Sequence, residues 1–344
     1  MRLSILDLSI VPKNGDRHQA LMNTLEIAKQ ADELGYTRFW VAEHHATGAG
    51  AGRSPEVMMP FIAAHTRKIK VGSGAILLNH YSPFKVAEIF NSMEELFPGR
   101  IDMGIGRAST GTISDVALQR HRSASVKKGD DSKNQIVELL NWMHQNFEEE
   151  NPFSEIKSHN NGTSPDFWLL GSSSWSSKTA AHLGLRYVFA GFINPAMSFN
   201  IAQNYHQEFK ASDNSGKQKP ELMLAINVFA AETEEEAHRM TAPFQLFEYR
   251  LKTEGDTQSL LEDEETALAI LGNRFRSPEI NLIDPRQPPR FLAATPDKLY
   301  DWINQIAAVF GANEIMIQTI TGNHQARLKS HQLLADVFLK NTSN

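Results

Sequence analysis

The chain contains no cysteine. That excludes disulfides, thiolate metal sites and a thiol nucleophile, and it removes the strongest compositional sign of secretion. No apolar run approaches the roughly 20 residues of a membrane-spanning helix. The opening MRLSILDLSIVPKNGD is too short and too acidic to read as a signal peptide. Long basic runs are also missing. With a formal net charge of -6, nucleic acid and anionic membrane are not expected partners. The expectation is a soluble cytoplasmic protein.

What the chain has is apolar substance, 41% of its 344 residues, enough for a sizeable core. Single cores tend to stop growing near ~250–300 residues. A β/α barrel of roughly 250 residues with insertions is the common exception.

One grammar recurs along the chain: a helical pattern, a glycine, then a short apolar run. Leu21, Leu25, Ala28 and Leu34 lie at helical spacing before Gly35 and the run Tyr36–Ala42. Val86, Ile89, Phe90, Met93 and Phe97 lead through Pro98-Gly99 into Ile101–Ile105. The pattern returns before Gly184 and before Gly311. Glycine suits the left-handed residue that closes a helix. Short, continuously apolar runs suit strands covered on both faces, and their alternation with helices means parallel βαβ units. Candidate strands fall at 2–9, 37–42, 69–76, 100–106, 166–170, 187–190, 222–230 and 313–319. Eight strands favour a single (β/α)8 TIM-barrel domain over an open sheet, with insertions at 107–130, 149–165 and 255–293. The first, polar and bearing Arg107, Arg120 and Arg122, is the expected lid. The second follows a helix and precedes a strand, which puts it on the far face. The third, whose part at 273–293 follows a helical stretch 233–272, either covers the barrel mouth or is a plain insertion.

Chemistry in such a barrel collects at the C-terminal strand ends. Strand 2 ends in Glu43-His44-His45, whose alternation lets only one histidine face a pocket, and the glycines after it would let the mouth loop bend away. Either histidine could simply pack or be solvated. Zinc is a third reading, but none of the histidines has the i, i+4 spacing of a helix-borne pair, so no metal is expected. Strand 3 ends in Val71-Gly72-Ser73-Gly74-Ala75, short of side-chain volume: either a flat ring lies there or the interior packs tightly. Strand 4 ends in Gly104-Ile105-Gly106-Arg107, placing an arginine, a handle for an anion, beside bare backbone. After strand 5 comes Gly171-Ser172-Ser173-Ser174-Trp175-Ser176-Ser177 at a helix start, where unpaired N–H groups and hydroxyls suit phosphate. N-capping alone accounts for one of those serines. A phosphate seat, an arginine, a flat-ring site and a histidine suit FMN.

The segments AEHHATGAG, VGSGAILLNHYSP, PGRIDMGIGR and LLGSSSWSSKTAAHLGL resemble the bacterial luciferase-like flavin monooxygenase superfamily, in its luciferase family oxidoreductase branch. The resemblance runs from residue 1 to about 230, with a weaker echo at 290–340. It implies a TIM barrel, a homodimer, and use of O2 with reduced FMN supplied by a separate flavin reductase. A C4a-(hydro)peroxyflavin would then oxygenate a small organic substrate such as an aldehyde or ketone. By the same resemblance His44 is the catalytic histidine, Gly74 and Ala75 form a non-prolyl cis peptide under the flavin ring, Arg107 lies near the phosphate, and Ser173 and Ser176 bind it. Arg120 or Arg122 could supply a further basic partner. Gly106 stands where luciferase carries a reactive cysteine, which argues against light emission. Two alternatives stay open: a deazaflavin-dependent hydride-transfer oxidoreductase on the same fold, and a non-catalytic flavin-binding subunit.

Overall fold

The computed structural model describes residues 1–107, 117–118, 131–156, 163–212 and 218–340. Eight parallel strand positions close into a ring: β1 (Arg2–Asp7), β2 (Arg38–Val41), β3 (Lys70–Ser73) continued by β4 (Ile76–Leu77), β5 (Ile101–Gly106), β6 (Asp166–Gly171), β7 (Arg186–Ala190), β8 (Leu222–Ala230) and β10 (Glu314–Gln318). The ring closes because β10 pairs with both β1 and β8. This is the (β/α)8 barrel that the alternation of helices and apolar runs implies.

Helices cover the outside: α1 (Arg17–Leu34), α2 (Pro55–His65), α3 (Pro83–Leu96), α4 (Ser132–His144), α5 (Ser174–His182), α6 (Ser198–Glu208), α7 (Glu234–Arg239), α10 (Pro296–Phe310) and α11 (His324–Phe338). Two more, α8 (Ala242–Glu254) and α9 (Glu264–Leu271), pack on each other, Phe244 and Phe247 of α8 meeting Ile10, Leu261 and Ile320 beyond the strand ends. The punctuating glycines behave as their positions suggest, Gly35 and Gly311 closing α1 and α10 in the left-handed conformation. Outward strand residues such as Leu3, Phe39, Val71 and Ile315 meet the helices in one large core. Inward residues form a smaller one around Leu6, Trp40, Trp168, Val188 and Met316.

The barrel floor is ionic. The strand starts bring Arg2, Arg38, Lys70, Asp102, Asp166, Arg186, Glu221 and Glu314 together, with cation and anion alternating in contact. Arg38 bonds Asp102 at 2.8 Å and Glu314 at 2.9 Å. Lys70 and Arg186 share Asp166 at 2.5 and 2.8 Å, and Arg186 and Arg2 share Glu221 at 3.0 and 2.7 Å. Removing one member would strand buried charge, which is why such a ring works only complete.

The third insertion divides into parts that the sequence reading merged. Gly255, left-handed at φ 67°, ends α8, and Asp256 then caps a turn by accepting from the backbone N–H of Gln258 and Ser259. The stretch expected to be helical over 233–272 is therefore three helices with an irregular segment at 255–263. A further strand, β9 (Phe291–Ala294), extends the sheet beside the upper half of β8, outside the ring. Its four residues follow a Pro-rich approach and carry too little pattern to stand out. Residues 163–165 lead straight into Asp166 at the floor, so the second insertion does return on the far face from the mouth. Most of the expected lid, Arg120 and Arg122 included, lies outside the described residues.

Candidate functional site

At the mouth, the ends of β5 and β6 and the start of α5 enclose a cavity of about 270 Å³, lined in part by Gly106, Arg107, Gly171, Ser172, Ser173 and Ser176. The structure thus brings the arginine together with Gly171, Ser172, Ser173 and Ser176 of the turn singled out in the sequence. Arg107 is exposed, and its guanidinium lies 4.5 Å from the centroid of the Trp175 ring. Trp175 lines the same cavity.

Most of the serines have local partners. Ser173 caps α5, and with Ser176 it forms a reciprocal capping box. Ser176 is only 3% exposed. Its hydroxyl donates to the Ser173 carbonyl at 2.8 Å and meets the Tyr187 hydroxyl at 3.0 Å. Tyr187 also donates to the Gly171 carbonyl, and burial keeps its phenol protonated by pushing its pKa up. Ser177, fully buried, donates to the Ser174 carbonyl. Capping and packing therefore explain three serines rather than one. What faces the cavity as an anion donor set is the first-turn backbone N–H groups, Ser172, Ser173 and Arg107. Gly171 has a packing reason too, since a Cβ there would fall 2.2 Å from Ser176 Oγ.

The peptide between Gly74 and Ala75 is cis, and it separates β3 from β4. The missing volume in this strand is not all vacant. A Cβ on Gly72 would fall 2.4 Å from Trp40 Nε1, and one on Gly74 would fall 2.6 Å from Leu6 Cδ1. Tight interior packing accounts for the two glycines; Gly74 and Ala75 are half-buried, and neither is among the residues lining the 270 Å³ cavity.

The two histidines after β2 part company. His45 Nε2 lies 2.6 Å from Glu43 Oε1. His44 is exposed, its backbone N–H bonded to the Gly52 carbonyl at 2.9 Å. Desolvation by the surrounding protein lowers its pKa, His45 adds to that, and Glu43 opposes it. His44 is not among the residues lining the 270 Å³ cavity. The loop after it does not bend away. Arg17 donates to the Gly50 carbonyl, and Gly48 N–H donates to the Thr257 carbonyl at 2.9 Å. A Cβ at Gly48 would fall 1.9 Å from the Gln258 carbonyl oxygen. Gly48 serves close approach, and residues 257–258 of the third insertion rest on the mouth loop.

Two contributors were not singled out in the sequence as site partners. Trp175 sits inside a serine run that drew attention to its hydroxyls, and Tyr81 lies in the loop before α3 with no pattern to mark it. Tyr81 donates to Glu43 at 2.7 Å. Among the described residues no cluster of histidine and carboxylate ligands fit for a metal forms, and no helix is long and apolar enough to cross a membrane.

The sequence pattern of the luciferase-like monooxygenases matches residues 1–309. The chain belongs to that family. It is 33% identical over 341 residues to the N-acetyl-S-alkylcysteine monooxygenase of Bacillus subtilis, covering 98% of each chain. It is 32% identical over 336 residues to a luciferase-like monooxygenase of Escherichia coli, covering 97% of this chain and 96% of that one. Among solved structures, apo-MsnO8 superposes with a TM-score of 0.85 at 34% identity, covering 98% of both chains. This family member is thus an oxidoreductase of the monooxygenase class.

Proposed function

We propose that the chain is the oxygenase of a two-component system, binding reduced FMN made by a separate flavin reductase and passing one atom of O2 to a small organic substrate. The observation that carries the reading is the mouth cavity, where Arg107, Ser172, Ser173 and the N-terminus of α5 converge as donors for a phosphate monoester. FMN fits that donor set. When bound and reduced it would supply the electrons that activate dioxygen.

The rest falls to the protein. The serine turn and Arg107 hold the phosphate, and the Gly74–Ala75 backbone offers a flat surface for the ring. His44, an imidazole just past the end of β2, is the group that would take a proton and return it during oxygen transfer. Substrates in this reading are aldehydes, ketones and, following the activity for which the B. subtilis relative is named, thioethers. A homodimer in the cytoplasm, meeting its reductase only transiently, completes the proposal.

The test is anaerobic titration of the purified chain with reduced FMN and, separately, a reduced deazaflavin. Aerated buffer carrying isotope-labelled dioxygen and a panel of aldehydes and thioethers follows. Preference for reduced FMN and label in the product support the reading. Binding of the deazaflavin alone overturns it in favour of hydride transfer, and FMN binding without label in any product favours a flavin-carrying role.

A further inference from the structure

The sequence sets Glu43 directly before the two histidines, and the fold buries its side chain completely. A buried carboxylate must be fully bonded to persist. Glu43 collects three donors: the backbone N–H of Leu77 at 2.9 Å, the Tyr81 hydroxyl at 2.7 Å and His45 Nε2 at 2.6 Å. Among the described residues no lysine or arginine pairs with it, and the basic side chain against it is the His45 ring.

The origin of the donors matters. His45 belongs to the lip that continues β2 and carries His44. Leu77 ends β4, just past Gly74–Ala75, and Tyr81 lies a few residues on, before α3. We propose that Glu43 is a positioning residue, one carboxylate that fastens the His44 lip to the Gly74–Ala75 lip and sets the charge beside His44. A role in fixing where a proton acceptor sits relative to a bound ring rests on the function proposed above, but the tie itself does not.

Several other groups share this corner. Glu56, at the start of α2, feels both Glu43 and His45, and its carboxyl is raised first by burial and then by Glu43. The His80 ring packs edge-on to His45 at 6.3 Å and to Tyr81 at 6.4 Å. Tyr81 is pushed well above its ordinary pKa, by burial first and Glu43 next, so it stays a donor. Around His44 the signs are opposed: His45 lowers its pKa and Glu43 raises it.

The experiment uses the flavin-free full chain, its histidines labelled with nitrogen-15 and the His44 imidazole signal assigned by its loss in His44→Gln. The titration midpoint of His44 is read in wild type, Glu43→Gln, Tyr81→Phe and His45→Gln. Glu43→Gln removes the charge at constant shape, and the midpoint moves to lower pH. Tyr81→Phe keeps the charge, and the midpoint does not fall. His45→Gln moves it the other way, to higher pH, and still tests the idea should Glu43→Gln fail to fold. On the same samples, reduced FMN binds Glu43→Gln roughly ten-fold more weakly, the scale of losing a charge-assisted bond that fixes the seat. A His44 midpoint that is unchanged in both Glu43→Gln and His45→Gln overturns the proposal. So does an equal downward shift in Tyr81→Phe, which would mean a packing effect only. Because the titration needs no flavin, it stands even where FMN binding fails.

Discussion

The guanidinium of Arg107 stacks on the indole of Trp175, 4.5 Å from the ring centroid, at the edge of the cavity that the serine turn closes. Stacking restricts a long, flexible side chain to one side of the mouth. It does so where the N-terminus of α5 already favours an anion. An arginine held in place loses less entropy when it captures a phosphate.

Trp175→Leu should therefore weaken FMN binding by roughly 2–30-fold, the range a cation–π contact spans between exposed and desolvated sites. Riboflavin, which has the ring but no phosphate, should bind the variant nearly as well as it binds wild type. Dissociation constants for both ligands check this. Equal losses for FMN and riboflavin would assign Trp175 to general packing of the cavity wall instead.

His44 is expected to act on chemistry rather than on binding. His44→Ala should lower the rate of substrate oxygenation on the order of 10²–10⁴-fold, as removal of an acid–base group does. Reduced FMN affinity should change little, since the side chain lies outside the phosphate cavity. Hydrogen peroxide formed without product should rise in step. Single-turnover assays with isotope-labelled dioxygen separate the two, and an unaffected oxygenation rate would remove His44 from the mechanism.

The floor of the barrel makes a prediction about stability alone. Arg38 is buried between Asp102 and Glu314, and their carboxylates, together with Ser4 and Trp40, leave it no solvent to fall back on. Despite the burial that opposes its charge, those carboxylates hold its pKa above the ordinary value. Arg38→Met should cost on the order of 3–5 kcal/mol, because two carboxylates lose their common cation. Adding Asp102→Asn and Glu314→Gln to the same chain should recover much of that loss. Urea unfolding of the single and triple variants measures the difference, and a single variant as stable as wild type would refute the argument.

How much of this was legible beforehand follows from where the information resides. Buried parallel strands announce themselves through continuous apolar runs, and the glycines at 35, 184 and 311 mark helix ends because their conformation demands it. The barrel was therefore readable. Arg107 and the turn at Gly171–Ser177 were readable because strand ends converge on one face. Residue roles that depend on distant partners were not. Ser176 reads as a phosphate ligand, and only the fold shows that its hydroxyl also meets that of Tyr187, eleven residues on. Gly72 looks like an opening until Trp40 from the next strand fills it. The ionic floor is not legible in the sequence because each strand contributes one charge, and only ring closure puts Arg38 beside Glu314.

Buried on α11 is a group that couples the fold to pH. His331 is 1% exposed, with neither ring nitrogen hydrogen-bonded. The Tyr36 ring packs edge-on against it at 6.4 Å. Burial first, then Arg327 and His324, depress its pKa from 6.5 to about 3. Between those values the unfolded chain binds a proton that the folded chain refuses, so stability falls as pH falls through that window and levels off below it. At pH 4.5 the deficit relative to neutral pH should be on the order of 2–3 kcal/mol. His331→Leu removes the titrating group while keeping an apolar side chain of similar bulk. The variant should lose clearly less stability than wild type between pH 7 and pH 4.5, as read from urea midpoints at the two values. Parallel losses in the two proteins would show that His331 does not set the acid limit.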